Sequence, residues 1–377
     1  MAFFRVFTGL FAGLGGLTWQ MAAMWAIGGV LIWLAIAKRM EPALMLPMGF
    51  GAILVNLPFS GAVTQGGTEG PLSVLFEAGM ANELFPLLLF IGIGAMIDFG
   101  PLLEWPWLML FGAAAQFGIF FTFVLAGFFF EPNDAAAIAV IGAADGPTAI
   151  FVANMLHSRY LGAIMVAAYS YMALVPIVQP PVIRLVTTRQ ERCIRMPCRK
   201  GSVSRTTRIL FPIVVTVAAG LVAPASVALV GFLMFGNLLR ECGVLNTLSE
   251  TAQNVLANLI TILLGLTVSS QMTAEQFLRP DTLLILALGL LAFVFDTAGG
   301  VLFARLVNLF LPGDRKINPM IGAAGISAFP MSGRVVNRMG LDEDNQNFLL
   351  MYSISVNVSG QIASVIAGGL ILTLMGV

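Results

Sequence analysis

The chain has 377 residues, 58% hydrophobic and 10% charged, and its nineteen Lys and Arg balance nineteen Asp and Glu. Soluble domains carry about 25% charged residues, so this composition excludes an ordinary soluble enzyme. Zero net charge with one basic cluster also leaves no footprint for a nucleic-acid partner.

Apolar stretches long enough to span a bilayer recur at 19–37, 106–130, 161–183, 209–235, 282–311 and 347–377. None alternates apolar and polar residues as a barrel strand does. The expected fold is an all-α polytopic membrane protein, one membrane domain over 1–377. It should hold about nine to eleven transmembrane or re-entrant helices.

The N-terminal "MAFFRVFTGLFAGLGG" resembles a weak signal sequence without a convincing cleavage site, so it is expected to stay in the mature chain. The first span, 19–37, closes at Lys38-Arg39. "EPALMLPMGFGAILVNLP" (41–58) is rich in Pro and Gly, and 60–82 reads as a polar loop with a short amphipathic helix. Segments at 84–103, 106–130, 135–157 and 161–183 follow. Between Arg184 and Arg208 lie eight of the nineteen basic residues against one acid, Glu191. The positive-inside rule puts this loop, 184–208, in the cytoplasm. Full crossings by 41–58 and the next four segments would put it outside, so one segment should be re-entrant or half-spanning. Cys193, Cys198 and Cys242 are scattered; a disulfide in the cytoplasmic loop is not expected, and no zinc pattern is present. The sole histidine, His157, should lie at the surface beside Arg159.

The two halves echo one another. "IGAA" occurs at 141–144 and 321–324, and "LLLFIGIGAMIDFGPLLEWPWLML" (87–110) parallels "ITILLGLTVSSQMTAEQFLRPDTLLIL" (260–286). In each, a Gly-containing apolar run stops at a polar residue, crosses a short loop and restarts as a long helix. Two internal repeats are therefore expected, 84–160 and 257–340, in inverted orientation. Gly/Pro-interrupted segments at matching positions point to a transport site at their interface.

The first copy carries Asp145-Gly146-Pro147-Thr148 inside an apolar run. Pro147 removes a donor and frees carbonyls. Those carbonyls, the Asp145 carboxylate and the Thr148 hydroxyl are hard oxygen donors of the kind Na+ prefers. The bland alternative pairs the acid with an arginine for packing, but an ionisable residue inside a membrane segment is a functional candidate by default. The second copy, "INPMIGAAGISAFPMSGRVVNRMG" (317–340), holds Asn318, Ser327, Ser332, Arg334, Asn337 and Arg338 with Pro319 and Pro330. Arg334 either snorkels to an interface or forks onto a carboxylate. The last helix places Ser355, Asn357, Ser359, Gln361 and Ser364 in an apolar span, more polar groups than packing needs. Residues 169–181, "YSYMALVPIVQPP", hold two of the four tyrosines, Tyr169 and Tyr171, with Gln179 and three prolines. They form either an interfacial aromatic belt or a proton relay. Asp98 reads as an exposed cap. Asp296, in "LAFVFDTAGG", is deeper and has no visible partner.

"IGAADGPTAI", "AAYSYMALVPIVQPP", "KINPMIGAAGISAFPMSGRV" and "QNFLLMYSISVNVSGQI" resemble the β subunit of the biotin-dependent, sodium-pumping decarboxylases; "FIGIGAMIDFGPLL" and "GAAAQFGIF" fit the same pattern. The resemblance covers roughly 20–377. It implies a bacterial inner-membrane subunit with a scaffold and a moving core, acting on oxaloacetate, glutaconyl-CoA, methylmalonyl-CoA or malonate through partners. A carboxyltransferase α subunit moves CO2 onto biotin of a carrier protein or domain. The β subunit decarboxylates the carboxybiotin, takes up a proton and exports Na+. A small membrane γ/δ subunit and a β homotrimer are implied too. By the resemblance, Asp145, Asn318, Gly322, Ser327 and Asn357 bind Na+, while Tyr171, Ser327 and Arg334 serve carboxybiotin. Asp145, Tyr171 and Arg334 are then the catalytic set. The chain departs from the family pattern in "LTVSSQ" and in Asp296, which replaces a small residue, and Gly61–Glu83 is short, as in acyl-CoA-type members. The competing reading is a stand-alone Na+-coupled transporter of small carboxylates, which interrupted repeats fit equally well.

Overall fold

The computed structural model describes residues 15–196 and 203–377; the start of the signal-like segment, and Cys198, lie outside them. The described residues are mainly helical, with only an isolated bridge, Gln65 to Thr68, as extended pairing. The helices are α1 (Trp19–Ala37), α2 (Pro42–Val55), α3 (Pro71–Gly79), α4 (Leu84–Met96), α5 (Gly100–Glu104), α6 (Met109–Ala115), α7 (Phe117–Ala126), α8 (Pro132–Ala139), α9 (Gly146–Met155) and α10 (Leu161–Val186). They continue as α11 (Arg189–Arg192), α12 (Arg205–Val222), α13 (Val227–Glu241), α14 (Asn246–Glu250), α15 (Ala257–Ser269), α16 (Ala274–Phe277), α17 (Pro280–Phe310), α18 (Met320–Ala323), α19 (Met331–Glu343) and α20 (Leu350–Leu374).

Seven helical stretches among the described residues are long and apolar enough to cross a membrane, or eight if the bent pair Pro71–Gly79 and Leu84–Met96 counts as one span. The polytopic helical expectation holds. One boundary differs: 209–235 is not a single span, because α12 ends at Val222 and Pro224 opens a new 3-10 turn before α13. Proline restricts the residue before it and lacks the N–H that would continue a helix. The Pro/Gly-rich stretch after the first span is a fourteen-residue helix, α2, with Pro47 inside it.

The chain forms two compact units. The smaller runs to Phe85 and includes Asn258–Leu284. Asn56, buried at the end of α2, is its main polar tie: its amide donates to the carbonyls of Ala52 (2.8 Å) and Met272 (2.7 Å), and its oxygen accepts from the Ala274 N–H at 2.7 Å. One side chain thus serves the last turn of α2, the linker at Met272 and the first N–H of α16.

The larger unit comprises Pro86–Ala257 and Ile285–Val377. Its axis is α20, whose residues are mostly buried. Gly368 of α20 meets Thr148 and Val152 of α9, Gly369 meets Ser226, and the Ser359 hydroxyl lies 3.2 Å from the Leu108 carbonyl.

Two interrupted segments lie in this unit. In the first, α8 tightens into a 3-10 turn, Val140–Ala143; Ala144 then takes a left-handed conformation (φ 51°) and α9 starts at Gly146. A non-glycine residue there costs about 1–2 kcal/mol, a strain that clusters at functional sites. In the second, α18 is separated from α19 by non-helical backbone ending at Pro330. This backbone lies against neighbouring helices at glycine contacts. A Cβ on Gly322 would sit 2.0 Å from the Gly300 carbonyl oxygen of α17, and one on Gly360 of α20 would sit 2.1 Å from the Gly325 oxygen. Only glycine permits such approaches.

Candidate functional site

Asp145 is the N-cap of α9 and is 2% exposed. Pro147 occupies the first turn, where its missing N–H costs nothing. The interruption therefore precedes the proline, at Ala144, instead of following from it.

The carboxylate collects donors from three parts of the chain. Its Oδ2 accepts from the hydroxyls of Thr148 (2.7 Å), Ser364 (2.9 Å) and Ser327 (3.3 Å) and from the Gln361 amide (3.1 Å). The Ser327 and Ser364 hydroxyls are 2.8 Å apart. The backbone joins too: the Ser327 N–H donates to the Ala143 carbonyl at 2.9 Å, tying the two interruptions together. No arginine or lysine pairs with Asp145 among the described residues. The packing ion pair weighed against a functional role is thus absent among them.

The other oxygen donors lie close by in the fold. The Asn357 amide holds the Ile326 carbonyl at 2.7 Å, leaving its own buried oxygen without a partner. Each serine or threonine hydroxyl has one hydrogen and two lone pairs, so it can turn from carboxylate donor to cation ligand without moving its oxygen. Among the described residues, no cluster of three His, Cys, Asp or Glu could hold a metal. The donor set is one carboxylate among neutral oxygens, which suits a hard alkali cation.

Several candidates stand elsewhere. Asn318 is fully buried, but its amide donates to the carbonyls of Arg192 (2.8 Å) and Ile194 (2.9 Å) in the basic loop. Gly322 is the contact with Gly300. Arg334 is exposed on α19 and makes no ion pair among the described residues. The Tyr171 hydroxyl donates to the Leu286 carbonyl of α17. It is Tyr169 that lies against Gly146, with its hydroxyl buried and unpartnered.

Two glutamines support the second interruption. Gln179 of α10 donates to the Ala323 carbonyl (2.7 Å) and lies 2.8 Å from the Ser332 hydroxyl, bridging both sides of the break. Gln116, between α6 and α7, reaches the Gly325 carbonyl at 3.3 Å. Sequence reasoning missed Gln116; its only signal was a lone amide in an apolar run.

The basic loop is fastened to the ends of α19 and α20. Arg192 pairs with Glu343 at 2.7 Å, and Asn347 donates to the Arg192 carbonyl at 2.8 Å. Arg195 binds Asp344 (2.6 Å) and Gln346 (2.7 Å). The Arg195 hydrogen bond holds the Asp344 carboxyl below its usual range. Burial opposes the charge on Glu191, but donors from Thr188 and from Arg305 at 2.8 Å outweigh it and hold that carboxyl low as well. Asp98, expected to cap, lies one residue before the N-cap Phe99 of α5; it accepts from the Gly100 N–H at 2.8 Å and stands 3.8 Å from Arg208 and Arg240. His157 is exposed, and Cys193 and Cys242 are free thiols.

With this geometry in hand, comparison with known proteins is informative. Residues 20–375 match the family described as the Na+-transporting oxaloacetate decarboxylase beta subunit. The chain is 44% identical to the oxaloacetate decarboxylase beta chain of Klebsiella pneumoniae, over 93% of this chain and 94% of that one. It is 45% identical to the methylmalonyl-CoA decarboxylase subunit beta of Propionigenium modestum, over 97% of both. It is also 45% identical to the glutaconyl-CoA decarboxylase subunit beta of Acidaminococcus fermentans, over 97% of this chain and 96% of that one. Near-complete coverage on both sides, with a matching family over almost the whole chain, makes this protein a member of the beta-subunit family of the Na+-transporting decarboxylases.

Proposed function

We propose that this chain is the membrane subunit that decarboxylates carboxybiotin and couples the reaction to outward Na+ transport, with Asp145 as the carboxylate that receives the ion. The observation that carries this reading is the convergence on Asp145 of Thr148, Ser327, Gln361 and Ser364, which belong to both interrupted segments and to α20. A carboxylate at such a junction can be loaded from one side and emptied to the other if the segments shift. We take the segments as parts of inverted repeats, 84–160 and 257–340.

In this reading Asp145 balances the ion's charge, and Ser327 and the unpartnered oxygen of Asn357 help to complete its shell. Asn318 and Gly322 act indirectly, by anchoring the basic loop and by setting the α17 contact. Arg334, exposed and unpaired, grips the carboxylate of carboxybiotin, which a guanidinium fork fits in bidentate fashion. Loss of CO2 leaves the ureido nitrogen with an electron pair that one proton must satisfy; Tyr171 stands on the path of that proton. Carboxybiotin is substrate here, delivered by a biotin carrier that a carboxyltransferase α subunit has loaded. A small γ/δ membrane subunit and a β trimer complete the proposed assembly in a bacterial inner membrane.

The stand-alone carboxylate carrier is the weaker reading, because the family match speaks for the pump. Reconstitution with the partner subunits tests it: carboxybiotin turnover should require Na+. Arg334→Ala should lower turnover at least tenfold with little change in half-saturating Na+. Equal weakening of both would make Arg334 a shaping residue of the ion site.

A further inference from the structure

Asp296 lies in the middle of α17 and is fully buried, yet neither of its carboxylate oxygens has a hydrogen-bond partner. The adjacent Thr297 hydroxyl is buried and unpartnered too. Nothing in the ion site described above uses either group.

The surroundings are shaped to the carboxylate. A Cβ on Gly118 of α7 would lie 2.4 Å from Asp296 Oδ1, and one on Gly142, in the 3-10 turn, would lie 2.7 Å from Oδ2. Glycine on both sides lets the acid press against two backbones at once. On one side it faces the Gly118 and Ile119 N–H groups in the first turn of α7, without a hydrogen bond of good geometry. Among the described residues no cationic side chain forms an ion pair with it. Neither α7 nor the Val140–Ala143 turn carries a titratable residue; α17 carries Asp281 near its start and Arg305 near its end, and Arg305 is paired to Glu191. Beyond these elements, Tyr171 of α10 lies against Gly289 of α17, and Asp145 follows Gly142 by three residues.

A bare carboxylate at such depth is among the most unfavourable arrangements a membrane protein can hold, so its charge must be met by a cation for part of its life. Sodium needs a shell of several oxygens. What touches this acid is glycine Cα atoms and peptide N–H groups; the unpartnered hydroxyls nearby in the chain are Thr297 beside it and Thr122, one turn along α7 from Gly118. A proton needs only one carboxylate oxygen. A cavity adjoins the same two helices. Gln116 and Phe117, just before Gly118, and Gly299, just after Asp296 in α17, line a cavity of about 560 Å3, and the Gln116 oxygen is unpartnered.

We propose that Asp296 is a proton-binding carboxyl that gains and loses a proton during turnover and so sets the charge behind the Asp145 segment. The coupling part rests on the reading that Asp145 holds the transported ion; the proton-binding part does not. Three residues of chain separate Gly142 from Asp145 by at most about 10 Å. Across about 12 Å at an effective dielectric near 20, one unit charge changes affinity at the other site about tenfold. Ionised Asp296 therefore tightens Na+ binding, and protonated Asp296 loosens it.

The test uses the reconstituted holocomplex. Infrared difference spectra across a pH step should show a carboxylic-acid C=O band that shifts in D2O and is missing in Asp296→Asn. Half-saturating Na+ should vary about tenfold with pH in the unsubstituted complex and stay flat in Asp296→Asn, near the weaker value. If the band survives the substitution, or the two pH profiles coincide, the proposal is overturned. A band that disappears on adding Na+ at fixed pH would reassign the group to sodium and overturn it too. Should Asp296→Asn fail to assemble, Asp296→Glu, which keeps the carboxyl, must shift the band; an unmoved band refutes the assignment. Loss of all Na+ dependence with the band intact would instead sink the Asp145 reading alone.

Discussion

Replacing Asp145 by Asn removes one negative charge and little else. Asn ranks with Asp as an N-cap, so α9 should still begin at Gly146. The field at the site is what changes. A cation about 4 Å from the carboxylate gains about 4 kcal/mol at an effective dielectric near 20. The groups that converge on Oδ2 at 2.7, 2.9, 3.1 and 3.3 Å are neutral dipoles and cannot replace a full charge. At about 1.4 kcal/mol per tenfold, Na+ affinity should fall about a thousandfold. The assay is the Na+ dependence of decarboxylation by the reconstituted complex, with radiolabelled Na+ uptake into the same vesicles. Thermal unfolding in detergent is the control and should move by no more than about 1 kcal/mol, the scale of a cap. Half-saturating Na+ left unchanged, with the fold intact, would refute the assignment of the ion to Asp145.

Gly322→Ala places a methyl 2.0 Å from the Gly300 oxygen, a backbone atom that cannot turn aside, and should destabilise the protein by about 1–3 kcal/mol or more in thermal unfolding. Asn318→Ala takes the Asn318 donor from the Ile194 carbonyl, while the Arg192 carbonyl keeps that of Asn347; about 1–3 kcal/mol should be lost, seen as faster proteolysis around Arg192 and Arg195 with Na+ affinity nearly unchanged. Asp344 is held below the ordinary carboxylate range by Arg195, so it supports the fold above that range and ceases to as pH falls through its folded value. Asp344→Asn should therefore lower stability slightly near neutral pH and converge with the unsubstituted protein in acid. High salt should erase the difference, since Arg195 is exposed.

The sequence disclosed what depends on local chemistry. Apolar runs marked the spans, and an aspartate next to Gly-Pro marked the ion candidate, because both signals are carried by neighbours in the chain. It did not disclose azimuth. Tyr169 and Tyr171 differ by two positions on α10 and so point to different sides; only packing puts Tyr169 on Gly146 and Tyr171 on Leu286. It likewise did not disclose which groups face one another. Asn318 sits in a motif with Ser327, yet its amide faces the basic loop while Ser327 faces Asp145. Gln116 and Gln179 earned their places through carbonyls about 145 to 210 positions away, a relation no local pattern encodes.

The glycine contacts of the second interruption have a mechanical consequence. Where Gly322 meets Gly300 and Gly360 meets Gly325, backbone lies directly against backbone. Ordinary helix pairs are geared: ridges sit in grooves, and a small slide must lift each ridge over the next. Bare backbone has no teeth. Displacement along such a surface meets less friction from rotamer changes, and the contact works as a bearing. A single added carbon at Gly300, Gly322 or Gly360 would turn that bearing into a brake.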